Sequence, residues 1–266
     1  MSMIDVNGAA LYYRFDGDQE APVIVLSNSL ASNLTMWDLQ VPALVDAGFR
    51  VLRYDSRGHG QSQVPAGPYT MEQLTMDVMA LLDAFRLDRV AFMGCSQGGM
   101  IGQMLATQHG QRLNSLVLTA TAAHMPPAQV WNDRMAAVRQ GGMAAVAEAT
   151  IDRWFTNAGQ ERLAGQVARV RDGILHTPVA GYCACSAAIR DMDQRESIRA
   201  ITTPTLVMVG QHDPGTPVSA AEWIHQRIVG SELVVLSDCA HFSNIEQVDV
   251  FNERCLSFLA SSIGAL

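Results

Sequence analysis

The sequence predicts an α/β fold: a mostly parallel sheet flanked by helices, with a helical lid inserted into it. Three observations carry the prediction. Over the first 120 residues, apolar runs of four to six residues alternate with helical patterns, as parallel strands covered by helices do. Between 124 and 200 the strands stop and helix-like segments rich in Ala, Met and Arg take over. After 204 the alternation resumes.

In chain order, the runs VIVLS (23–27), VLRY (51–54), VAFMG (90–94) and LVLTA (116–120) read as strands, with helices expected around 37–47, 71–86 and 97–109 between them. VWNDRMAAVRQ, MAAVAEATIDRWF and RLAGQVARVRDGIL make up the helical interval. TLVMVG (205–210), a helix around 219–229, LVVLS (233–237) and a closing helix near 248–261 complete the chain. The expected organisation is a core of residues 1–123 and 201–266 with a lid of residues 124–200. A lid inserted there sits over the carboxyl ends of the strands, where α/β proteins bind ligands.

Composition excludes several function classes. The chain has 266 residues, 48% of them hydrophobic, enough for a substantial core. A formal charge of −8, without long runs of one sign, argues against nucleic acid or an anionic membrane as partner. The first 19 residues lack a basic segment followed by an apolar stretch, and no run is long enough to span a bilayer, so a cytoplasmic protein is expected. Five cysteines, at 95, 183, 185, 239 and 255, form neither a disulfide framework nor a zinc spacing. There is no lysine, which rules out a side-chain Schiff base, a pyridoxal-phosphate lysine and a P-loop lysine.

The chemistry-bearing stretch is FMGCSQGG (92–99). A serine between a strand and a helix sits on a turn too tight for bulky neighbours, and its hydroxyl is offered at a helix N-terminus. Ser96 therefore reads as a nucleophile, which needs a base, which in turn needs an orienting carboxylate. Asp213, just after TLVMVG, and His241, after LVVLS, supply them; the alternative site for the acid, LVLTATAA, carries none. The other six histidines read as surface, helix or packing residues. Acyl transfer also needs donors for an oxyanion. The amide of Gln97 is one candidate; the amide of Leu30, in the loop SNSLAS after VIVLS, is the other.

On these residues the chain resembles the α/β-hydrolase superfamily over essentially its whole length: DSRGHGQS (55–62) looks like its D-x-R-G-x-G-x-S loop, and the Ser, acid and His loops fall in its order. LSNSLASNLTMWDLQ, FRVLRYDSRGHGQS, GPYTMEQL, the segment 130–155 and AHFSNIEQ further resemble the 3-oxoadipate enol-lactonases of aromatic breakdown. The elbow departs from that family's usual G-L-S-M-G-G: Cys95 and Gln97 stand where apolar residues are common, and they are expected to alter the pocket wall.

The resemblance implies a serine hydrolase of the β-ketoadipate pathway that opens a small carboxylated lactone through an acyl-serine, with no cofactor or metal. Such a substrate needs a local cation in this acidic chain. Arg134, Arg139, Arg153 and Arg190 are the lid candidates, with Trp131 and Trp154 as flat walls; Arg134 and Trp131 are singled out. Other readings are a carboxylesterase or lactonase for a different small substrate, a cofactor-free perhydrolase, and a ligand-binding receptor on a hydrolase fold. The oligomeric state is left open.

Overall fold

The computed structural model describes residues 2–263. Eight strands, β1 (Ser2–Val6), β2 (Ala9–Asp16), β3 (Val23–Ser27), β4 (Arg50–Tyr54), β5 (Val90–Cys95), β6 (Leu113–Thr119), β7 (Thr205–Gly210) and β8 (Glu232–Leu236), form one sheet in the order β1-β2-β4-β3-β5-β6-β7-β8. All neighbours from β4 to β8 in that order run parallel, while β2 is antiparallel to both β1 and β4. Every residue of β3, β5 and β7 is buried, which is why these strands are continuous apolar runs without alternation.

The helices are α1 (Val41–Asp46), α2 (Met71–Ala84), α3 (Gln97–His109), α4 (Ala128–Gly141), α5 (Ala144–Trp154), α6 (Asn157–Arg162), α7 (Ala164–Leu175), α8 (Val179–Asp191), α9 (Val218–His225), α10 (Ser243–Glu246) and α11 (Val248–Ile263). Helix α3 packs on β5 and β6, α11 on β6, and α9 on β7 and β8. Five helices, α4 to α8, lie between β6 and β7, where the lid was expected, and pack mainly on one another. The two ends of this interval meet at a bridge between His124 and Asp193, reinforced by the Gln194 amide donating to the Ala123 carbonyl at 2.8 Å. Among the described residues no helix is long and apolar enough to cross a membrane.

Two elements differ from expectation. The hairpin β1–β2 was not anticipated: it lies at the sheet edge, half exposed, so its strands lack the uniform apolar runs of the centre. Its two-residue turn, Asn7-Gly8, has positive φ at both positions, as a type I′ hairpin requires. The helix expected around 37–47 is split, because a 3₁₀ turn at Leu34–Trp37, capped by the Asn33 side chain, precedes an α1 that starts beside Pro42.

Candidate active site

Strand β5 ends at Cys95 and α3 begins at Gln97, so Ser96 alone makes the turn, at φ 55° and ψ −112°. Such backbone costs a non-glycine residue about 1–3 kcal/mol and persists only where its surroundings hold it. Here the Ser96 amide donates to the Thr119 carbonyl at 2.9 Å, and its carbonyl accepts from the Thr121 hydroxyl at 2.8 Å and the Met100 amide at 2.9 Å. The glycines serve close approach: a Cβ on Gly98 would run into the Ser27 carbonyl, and one on Gly94 into that of Gly98. The Ser96 hydroxyl is left facing a cavity.

Asp213 and His241 come from the loops after β7 and β8, which the sheet sets side by side. The imidazole Nδ1–H donates to Asp213 Oδ2 at 2.7 Å, which assigns the ring proton to Nδ1 and leaves Nε2 as the acceptor. The other donors to Asp213 are local: the Thr216 hydroxyl to Oδ2 at 2.7 Å, and the amides of Gly215 and Thr216 to Oδ1 at 2.8 and 3.0 Å. Burial alone would raise the pKa of this carboxyl, but attraction to His241 and these hydrogen bonds outweigh it and hold it below its ordinary value. Asp213 therefore stays ionised across the neutral range. His241 lines the same cavity as Ser96.

The loop after β3 crosses the cavity at Ser29, Leu30 and Ala31. Its amides are engaged on both sides of Leu30: Ser29 N–H points to Met36 Sδ at 3.4 Å and Ala31 N–H donates to His59 Nε2 at 3.0 Å. The Leu30 and Gln97 amides have no acceptor among the described residues, so two backbone donors remain available near Ser96. His59 holds this loop as a neutral ring; burial lowers its pKa to about 4, against a smaller opposing pull from the Arg57 carbonyl.

The opposite wall comes from α4, α5 and α8: Trp131, Arg134, Thr150, Arg153, Trp154 and Tyr182. Trp131 is pinned by its indole N–H to the Met125 carbonyl at 3.0 Å, and the Arg134 guanidinium lies 5.0 Å from its ring centre. Among the described residues neither Arg134 nor Arg153 forms a salt bridge; Arg153 only donates to the Thr150 hydroxyl, at 2.9 Å. Burial, and then repulsion from Arg134, lower the pKa of the Arg153 guanidinium. Two guanidiniums without a salt bridge thus line one small cavity of about 90 Å³.

Residues 22–151 match the α/β-hydrolase fold family. The chain is 38% identical to 3-oxoadipate enol-lactonase 2 of Acinetobacter baylyi, over 91% of its own length and 90% of that protein's. It belongs to the α/β-hydrolase family. The enol-lactonase of Burkholderia xenovorans LB400 superposes with a TM-score of 0.95 at 43% identity, covering 97% of this chain and all of the other. A protein of Variovorax paradoxus named provisionally as the carbamate hydrolase RutD shares 30% identity over 94% of this chain and 96% of its own. With these relatives, the chain is an enzyme that hydrolyses ester bonds.

Within the hydrolase, the structure gathers Ser96, His241, Leu30, Trp131, Arg134 and Trp154 around one cavity, with Asp213 and the Gln97 amide directly behind it. It separates the four lid arginines. Arg190 is engaged outside the cavity by Asp191 and Asn132, and Arg139 is not among the lining residues, whereas Arg153, given less weight than Arg134, stands beside it. The expectation that Cys95 and Gln97 alter the pocket wall is not met: both side chains are buried away from the lining, and the Gln97 carboxamide has no partner among the described residues. Thr216 and Tyr182 also line the cavity, and no sequence motif marks either of them.

Proposed function

We propose that this enzyme is a serine hydrolase that opens 3-oxoadipate enol-lactone to 3-oxoadipate. The observation that carries the proposal is the pair of guanidiniums without a salt bridge, Arg134 and Arg153, that line the same small cavity as Ser96. Both are half-buried and lack a salt-bridge partner, and a substrate carboxylate would supply one while fixing the lactone carbonyl toward the serine. A cavity of about 90 Å³ also suits a substrate of few atoms rather than a long acyl chain.

In this reading His241 Nε2 takes the proton as Ser96 Oγ bonds to the lactone carbonyl carbon, and the Leu30 and Gln97 amides hold the oxyanion. Collapse breaks the ring C–O bond; the imidazolium returns its proton to the departing enol oxygen, and the enol becomes a ketone, which makes ring opening irreversible. His241 then activates water to release the acid from Ser96, while Asp213 keeps the imidazole in one tautomer. The lid of residues 124–200 supplies the carboxylate-binding wall.

The test is the rate of loss of enol-lactone absorbance against the hydrolysis of a neutral aryl ester. A kcat/KM of about 10⁴–10⁸ M⁻¹s⁻¹ on the lactone, well above the ester, is expected. A slow lactone with a fast ester or carbamate would discard this substrate and keep the hydrolase.

A further inference from the structure

Glu246 is a buried carboxylate, 1% exposed, that the mechanism above does not use. Its donors come from two places far apart in the chain. Oε1 accepts from the Thr156 amide at 3.0 Å and the Thr156 hydroxyl at 2.7 Å; Oε2 accepts from the Ala240 amide at 2.6 Å. Thr156 caps α6, its hydroxyl accepting from the Gly159 amide at 2.9 Å, and Ala240 immediately precedes His241. Arg162 reaches Glu246 too, but donates to its backbone carbonyl at 2.9 Å. Among the described residues the carboxylate has no cationic partner, so these three hydrogen bonds are what make its burial tolerable.

The same two segments meet again beside the cavity. The Phe242 amide donates to the Trp154 carbonyl at 2.9 Å, and the Trp154 and Phe242 rings stack with centres 4.0 Å apart. Gly159 lies so close that a Cβ there would strike Glu246 Oε1. The segment 154–162 and the loop 240–246 are therefore joined by hydrogen bonds at Glu246, at Phe242 and at Arg162.

We propose that Glu246 is a positioning residue for His241: its carboxylate ties the backbone at Ala240 to the cap of α6, so that this part of the helical insertion and the catalytic imidazole are held as one body. The proposal rests on the reading of His241 as the base. It implies that the insertion cannot open by lifting the segment 154–162 without displacing the imidazole.

The experiment is steady-state kinetics on the lactone together with the rate at which an aryl organophosphate modifies Ser96, a step that needs the base but not the carboxylate-binding wall. Glu246→Ala is expected to lower kcat about 10²-fold, as displacement of a catalytic group by about 1 Å does, and to slow organophosphate modification in parallel, with KM within about twofold. Gly159→Ala deletes no polar group but drives a methyl into the carboxylate and displaces it; kcat should fall about tenfold, with a lowered thermal midpoint in a protein that still folds. Glu246→Gln keeps one acceptor oxygen for the Thr156 donors but turns its NH2 on the Ala240 N–H, so it breaks the tie to the backbone before His241 and should also lower kcat, by less than Glu246→Ala. A kcat within twofold of wild type in folded Glu246→Ala or in Gly159→Ala, or a rise in KM alone, would overturn the proposal. If Glu246→Ala does not fold, Gly159→Ala and Glu246→Gln decide. The nucleophile reading is tested separately by Ser96→Ala, which should be inert to the organophosphate.

Discussion

Acid should weaken this fold through one ring, His59. The residue is 1% exposed, its Nε2 accepts the Ala31 amide, and burial holds its pKa at about 4 against an ordinary 6.5. Between those values the unfolded chain binds a proton that the folded chain refuses. The stabilisation is therefore complete above pH 6.5, is lost as pH falls toward 4 at about 1.4 kcal/mol per pH unit, and totals about 3 kcal/mol. His59→Gln keeps an acceptor for Ala31 and removes the titration. Urea unfolding of both proteins at pH 7.5 and pH 4.5 isolates the effect, because every other ionisable group cancels in the difference. Wild type should lose about 2–3 kcal/mol more than the variant between the two pH values. Parallel pH dependence in the two proteins would refute a neutral, buried His59 as the anchor of the Leu30 loop.

Ser96→Ala should lower kcat on any ester by at least about 10⁴-fold while leaving the thermal midpoint within a few degrees of wild type; retained turnover would remove Ser96 as nucleophile. Arg134→Ala and Arg153→Ala should each lower kcat/KM on the carboxylated lactone about 10–100-fold, the value of a hydrogen bond to a charged group, and change a neutral ester less than about threefold. Equal effects on both substrates would sink the carboxylate assignment. Gly98→Ala puts a methyl into the Ser27 carbonyl and should destabilise the protein by about 1–3 kcal/mol, measured by denaturant midpoint, with activity falling as the elbow shifts.

Much of the core was legible because its signals are local. The strands β3, β5 and β7 are buried on both faces and so are unbroken apolar runs, and their ends match the expected spans closely. Ser96 is marked by the glycines its own turn requires. The hairpin β1–β2 escaped because an edge strand exposed along one side has no such run, although Asn7-Gly8 is a turn signal in plain view. Arg153 was one of four lid candidates that the sequence could not rank, because α4 and α5 carry several arginines and nothing in their spacing says which ones point inward.

The fold class, the order of serine, acid and histidine, and the strand-to-helix turn could be read from the chain alone, because each depends on neighbours within a few residues or on the succession of apolar runs. Which arginines share the cavity with Ser96, that the Leu30 and Gln97 amides stay unengaged, and that Glu246 joins Thr156 to Ala240 emerge from the three-dimensional packing. Those outcomes depend on distances between groups far apart in the chain, such as Ser96 and Arg153 or Thr156 and Glu246, and such distances are set by how the helices pack over the sheet rather than by any residue's immediate neighbours.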